Sequence, residues 1–325
     1  MNSFPSLLES ITDLNKIQID GLLSLTSKLK HRDSESNLFN YRKPIIATSF
    51  LENSTRTKHS FAIAIHKLGG FYIDFNAETS SLKKGESLEE TFLTLFNQGV
   101  NLCIFRSSIS HQLSQFRESP PIKIINGGDG TNEHPTQALL DLFTLQELSL
   151  DLNGKTLAIF GDIIHSRVAH SLMKLLPLFG MKIILCGPEI FLPQKSEISE
   201  AIELSTNREE TLLKCDFIYL LRIQKERHQS NGINQTSFED LNLFENYLEK
   251  YGISLGLLKK LNRTIPVLHP GPANIGVELD MPLIKSNLYQ GYRQVQNSIP
   301  MRMAIIQSML LNNDKNIGNV NGEKF

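Results

Sequence analysis

The sequence predicts an α/β protein with largely parallel sheets. Short β-branched or aliphatic runs alternate with longer segments of helical apolar spacing, the pattern of strands joined by crossover helices. A length of 325 residues suggests about two domains at roughly 150 residues each. With 40% hydrophobic and 21% charged residues, the composition is that of an ordinary globular chain that can bury a core in each.

Predicted strands in the first half are Ile45–Phe50, Phe71–Phe75, Asn101–Phe105 and Ile122–Ile125. Between the first two, Phe61, Ala64, Ile65 and Leu68 recur at helical spacing and Gly69-Gly70 follows as a stop, giving a β-α-β unit. A helix is expected from Pro135 to Leu148, with proline in its first turn. A polar turn, Asp151 to Lys155, then leads into a fresh set of strands, so the boundary is placed near residue 149: residues 1–148 form one domain and 149–292 the other. The second set is Thr156–Phe160, Lys182–Cys186, Phe217–Leu221 and Ile265–Leu268. Helical spacing returns from Gln294 to Leu311, within a C-terminal helix assigned to 293–312, and residues 313–325 read as a frayed tail.

Lys and Arg total 33 against 34 Asp and Glu, a net charge of −1, so no chain-wide basic field exists for nucleic acid or anionic lipid. Any anion must be held locally. Polar residues interrupt every apolar run before the roughly 18 residues of a membrane helix, and no span is expected. Glu9 and Asp13 with no basic n-region do not form a signal peptide; the chain is expected to start at Met1 and to reside in the cytoplasm. Cys103, Cys186 and Cys215 lie singly in apolar stretches and read as buried reduced thiols.

Four segments could carry chemistry. Glu52 to Lys58 places Ser54, Thr55, Arg56 and Thr57 in the first turn of a helix, where free N–H groups, the helix dipole and a guanidinium suit a phosphate; a capping serine with solvated cations is the plain alternative. Asn126 to Gly130 reads as a glycine-rich turn ahead of His134 and Gln137, which lie on one helical face and can reach one carbonyl oxygen. A surface turn with a capping histidine would look the same. Arg106 follows an apolar strand, at the end where α/β sheets bind ligands. Gly161 to Arg167 and Arg222 to Arg227 each put an arginine at a strand end, a pair suited to a dicarboxylate. No G-x-G-x-x-G dinucleotide fingerprint is present.

In order along the chain, Ser54-Thr55-Arg56-Thr57, Lys83-Lys84-Gly85-Glu86, Arg106, His134-Pro135-Thr136-Gln137, Gly161-Asp162 to Arg167, Arg222-Ile223-Gln224 and His269-Pro270-Gly271-Pro272 closely resemble the transcarbamoylase family from about residue 45 to 304. The aspartate branch is the nearer one: His269 is followed by Pro270-Gly271-Pro272 rather than cysteine, and no Ser-Met-Gly loop is present. The resemblance implies two doubly wound α/β domains, each with a largely parallel central sheet flanked by helices, the first for carbamoyl phosphate and the second for L-aspartate, with the last helix returning to the first.

It also implies roles. Ser54, Thr55, Arg56, Thr57 and Arg106 would hold the phosphate, and Thr55, Arg106, His134 and Gln137 would polarise the carbonyl. Arg167 and Arg222, aided by Gln224, would clamp aspartate, and the backbone at Gly271-Pro272 would meet the carbamoyl nitrogen. Ser81 (or Ser80) and Lys84 would reach a neighbouring subunit's site in a homotrimer. The chemistry needs no metal, cofactor or covalent nucleophile, and the family is compatible with a regulatory chain or a dihydroorotase as partner. Lys58, Ala62 and Ile275 stand where the family commonly has Arg, Glu and Arg; the last bears on closure contacts around Gly271-Pro272. Alternative readings are a transcarbamoylase for another amine such as ornithine, and a non-catalytic scaffold subunit.

Overall fold

A computed structural model describes residues 3–31, 43–75, 84–223 and 246–311. The chain divides into two compact units, Met1–Phe143 with Val295–Phe325, and Thr144–Gln294. In chain order the strands are β1 (Leu7–Leu8), β2 (Ile45–Phe50), β3 (Phe71–Phe75), β4 (Leu102–Ser107), β5 (Lys123–Asp129), β6 (Thr156–Phe160), β7 (Lys182–Cys186), β8 (Ile202–Ser205), β9 (Phe217–Leu220) and β10 (Val267–Leu268). The helices are α1 (Lys16–Lys30), α2 (Thr55–Lys67), α3 (Leu88–Asn97), α4 (Pro135–Leu148), α5 (Arg167–Leu175), α6 (Arg208–Lys214), α7 (Tyr247–Lys250), α8 (Leu255–Lys260), α9 (Met281–Ile284) and α10 (Gly291–Leu311).

The first unit holds a five-stranded parallel sheet in the order β1-β5-β4-β2-β3. Parallel strands covered on both faces are apolar without alternation, and all six residues of β4 are buried. One face packs Ala47, Cys103, Phe105 and Ile124 against Phe92 and Leu95 of α3 and against Phe116. The chain passes from β2 to β3 on one side and then crosses to β4 on the other. The β2/β4 junction is therefore the switch point of the sheet, where a crevice opens at the carboxyl ends of the strands.

The second unit repeats the plan with the order β10-β9-β6-β7-β8, again all parallel. Here the chain runs β6, β7, β8 and then returns to the other side of β6 for β9, so β6/β9 is the switch point. Its core joins Ala158, Phe160, Ile184, Ile218 and Val267 of the sheet to Leu212, Leu258 and Leu283 of the helices.

Strands β2, β3, β6 and β7 and helix α4 coincide with the segments read from the sequence, and Cys103, Cys186 and Cys215 are buried free thiols. Three readings change. Asn126 to Asp129 is not a turn but the end of β5, because its backbone is buried against β4 and pairs with it through a register shift between Phe105 and Ser107. Arg106 lies inside β4 rather than past its end. The strand expected from Ile265 shortens to Val267–Leu268, since Pro266 has no N–H to give to a ladder. Strands β1 and β8 escaped the periodicity because two and four residues are too few to show a pattern.

Candidate active site

The site elements of the first unit issue from the carboxyl ends of β2, β4 and β5, three neighbours in its sheet. Ser54 caps α2, its hydroxyl accepting from Thr57 N–H at 3.3 Å. Thr55 and Arg56 are exposed on the first turn, so the unpaired N–H groups of the helix start and a guanidinium face solvent together. Thr57 turns inward, and its hydroxyl lies 3.3 Å from His134 Nε2 at the start of α4. Two of the segments singled out in the sequence therefore meet.

Arg106 bridges the same two segments. Its Nη1 donates to Gly127 O at 3.0 Å and its Nη2 pairs with Glu52 at 3.3 Å, two residues before the Ser54 cap. Leu51 N–H also donates to Arg106 O at 2.9 Å. Gly127 can approach so closely because a Cβ there would come within 3.3 Å of Phe105 O. Gln137, one helical turn after His134, is held by Asp141, its Nε2 donating to Oδ1 at 2.9 Å.

Behind this site lies a cation that the sequence reading passed over. Arg302 of α10 is 1% exposed; its Nη1 donates to Ser60 Oγ and its guanidinium sits 4.9 Å above the Phe61 ring. Burial pushes the Arg302 guanidinium down to about 9, with Asp141 opposing the fall and Arg106 adding to it. A signal did exist: Met301, Met303, Ala304, Ile305 and Ile306 are apolar around the whole helix, so a charge among them must also be inside.

In the second unit, Gly161 follows β6 with φ +127°, and a Cβ there would lie 2.9 Å from that of Leu221 after β9. Glycine thus lets the loops leaving β6 and β9 run side by side. Asp162 accepts His165 Nδ1 at 2.8 Å, Ser166 caps α5 through Ala169 N–H at 3.2 Å, and Arg167 opens that helix. Arg222 follows β9, whose chain continues to Ile223; Asn274 Nδ2 donates to Ile223 O at 3.2 Å and ties in the loop after β10.

That loop contains Gly271 and Pro272, joined by a cis peptide bond. His269 organises it from inside: Nδ1 accepts Gly271 N–H at 2.8 Å, so the ring proton resides on Nε2, 3.1 Å from Glu278. Glu278 also accepts Asn274 N–H. Ile275 is half exposed on the same loop, and Lys58 pairs with Asp74 at 2.7 Å on the surface. Lys84 is exposed, while Ser80, Ser81 and Gln224, and the tail at 313–325, lie outside the described residues. Among the described residues no group of three metal-ligating side chains converges.

The sequence matches the family model for the carbamoyl-P binding domain of aspartate/ornithine carbamoyltransferase over residues 7–147, and that for its Asp/Orn binding domain over 153–309. The aspartate carbamoyltransferase catalytic subunit of Thermus aquaticus is 40% identical over 269 residues, 82% of this chain and 84% of the relative. The catalytic subunit of M. Jannaschii aspartate transcarbamoylase superposes with a TM-score of 0.82 at 29% identity, covering 96% of this chain and 99% of the other. Aspartate transcarbamoylase from Trypanosoma cruzi, solved with carbamoyl phosphate and aspartate, gives 0.78 at 26% identity, covering 94% and 96%. The chain belongs to the aspartate/ornithine carbamoyltransferase family.

Proposed function

We propose that this protein transfers the carbamoyl group of carbamoyl phosphate to the amine of L-aspartate, giving N-carbamoyl-L-aspartate and phosphate in de novo pyrimidine biosynthesis. The observation that carries the site reading is the convergence at β2/β4 of a capped helix start, Arg56, Arg106 and the Thr57–His134 pair, an arrangement built for a phosphate bonded to a carbonyl.

In the reaction a C–N bond forms as the C–O bond to phosphate breaks. Ser54, Thr55, Arg56, Thr57 and Arg106 bind the phosphate and stabilise its growing charge as it departs. Thr55, Arg106, His134 and Gln137 donate toward the carbonyl oxygen, where charge develops in the tetrahedral species. Gly271 and Pro272 offer backbone carbonyls to the carbamoyl nitrogen. Arg167 and Arg222, with Gln224, clamp the two carboxylates and so orient the amine. Their origin on neighbouring strands β6 and β9 supports this assignment.

Ser81 and Lys84 are assigned to a neighbouring subunit's site in a homotrimer. The edge strand β3 and the adjoining helix α2 leave Phe71, Ile73 and Ile63 exposed, an apolar surface that supports association. A regulatory chain or a dihydroorotase is the kind of partner such an assembly takes. No helix among the described residues is long and apolar enough to cross a membrane, in keeping with a cytoplasmic enzyme.

The test is product formation from carbamoyl phosphate with L-aspartate or L-ornithine, repeated with Arg222→Ala. Carbamoyl-aspartate made by the wild type and largely lost in the variant is the expected result. Turnover of ornithine alone assigns the other branch, and turnover of neither leaves a scaffold subunit.

A further inference from the structure

From its contacts we infer that Arg302 is a positioning residue for the phosphate and carbonyl contacts of the first unit, acting through Ser60 on the first turns of α2. The inference rests on the reading of α2 and α4 as the carbamoyl-phosphate site.

On the α2 side, Ser60 Oγ accepts from Arg302 and in turn contacts Arg56 O at 2.6 Å and Thr57 O at 2.9 Å. A single hydroxyl thus links the buried guanidinium to the carbonyls of the two residues that present Arg56 and Thr57. The Phe61 ring under the guanidinium fixes the next residue of the same helix. On the α4 side, Asp141 is fully buried, feels the positive charge of Arg302, and accepts the Gln137 amide.

Burying an arginine is costly unless charge and hydrogen bonds compensate it. Arg302 spends part of its donor set on one serine, and its Nε has no hydrogen-bond partner among the described residues. An apolar residue on α10 would fill the same core with less penalty. What it could not do is donate to the Ser60 hydroxyl that bears on the Arg56 and Thr57 carbonyls. The like charge of Arg106 acts on Arg302 as well, while Arg106 itself is engaged by Glu52 and Gly127 O.

The experiment compares wild type with Arg302→Met, Arg302→Lys and the milder Ser60→Ala. Binding of inorganic phosphate is measured by calorimetry, together with KM for carbamoyl phosphate, KM for the amine substrate, kcat and thermal midpoint. Arg302→Met is expected to weaken phosphate by about tenfold or more, the loss of one charge-supported hydrogen bond, and to raise KM for carbamoyl phosphate while KM for the amine stays within twofold. Arg302→Lys recovers part of the loss, and Ser60→Ala reproduces a smaller share of it. If Arg302→Met does not fold, Ser60→Ala decides the question alone. Phosphate affinity unchanged in the variants, with only the midpoint lowered, overturns the inference. Failure of the wild type to bind phosphate overturns instead the reading of the site on which it rests.

Discussion

Arg106 Nη2 lies 3.3 Å from Glu52 Oε2, and the same guanidinium donates to Gly127 O from its other end nitrogen. One planar fork thus spans the loop after β2 and the end of β5. A lysine has the charge but a single point of contact, so it cannot keep both. Arg106→Lys is expected to lower kcat by about 10²-fold, the cost of one lost donor to a developing oxyanion, with a thermal midpoint close to wild type. Arg106→Met should lose activity further and also destabilise the fold, because the contacts of the guanidinium to Gly127 O and Glu52 are both lost. Steady-state rates and a melting curve separate the two effects. Equal midpoints for Met and wild type would show that the pair is not structural.

How far this site could be read in advance differs between its parts. Ser54 to Thr57 and His134 to Gln137 declare themselves through local chemistry, a cap followed by polar residues at helix starts. That Thr57 and His134 touch depends on β2, β4 and β5 being neighbours, which is a property of strand order and of no single segment. Arg106 reads as a solvated strand end, yet it is inside β4 and 7% exposed, because Glu52 and Gly127 come to meet it from elsewhere in the chain. Asn126 to Asp129 carries turn residues but serves as strand, Gly127 permitting close packing on β4. Glu278 gives no sequence signal at all, since its role exists only through His269 nine residues before it.

The thiols carry a pH dependence of defined sign. Burial pushes both Cys103 and Cys215 up to about 12 from 9.0. A raised value means that the unfolded chain ionises first, so the stability these groups contribute is complete below pH 9 and is lost progressively as pH rises toward 12. Urea midpoints should therefore fall between pH 9 and 10.5, and Cys103→Ala should flatten that fall while costing stability at pH 7. Native protein at pH 8 is expected to react with a thiol reagent far more slowly than urea-unfolded protein. Rapid labelling of Cys103 in the folded state would contradict its burial.

Gly161 is the position at which backbone geometry bears most directly on the spacing of the two loops proposed to hold the amine substrate. Alanine there meets both an unfavourable φ of +127° and a contact of 2.9 Å with Leu221 Cβ. Gly161→Ala should cost about 2–3 kcal/mol and push the loop leading to Arg167 away from the segment leading to Arg222. The expected signature is a higher KM for aspartate with KM for carbamoyl phosphate little changed. A variant with normal kinetics for both substrates would mean that the spacing of these two loops is unimportant to binding.

Glu278 tests whether the loop carrying Gly271 and Pro272 is held by charge or by hydrogen bonding. Its Oε1 accepts from both His269 Nε2, at 3.1 Å, and Asn274 N–H. With His269 Nδ1 engaged by Gly271 N–H, the Glu278 contact fixes the tautomer and hence the backbone of the turn. Glutamine keeps an acceptor oxygen at the same reach, whereas leucine leaves the buried His269 Nε2 donor unsatisfied at about 1–3 kcal/mol. Glu278→Gln should retain activity within a few-fold, and Glu278→Leu should lose most of kcat/KM for carbamoyl phosphate along with stability. If the glutamine variant is as impaired as the leucine one, the negative charge itself is what the loop requires.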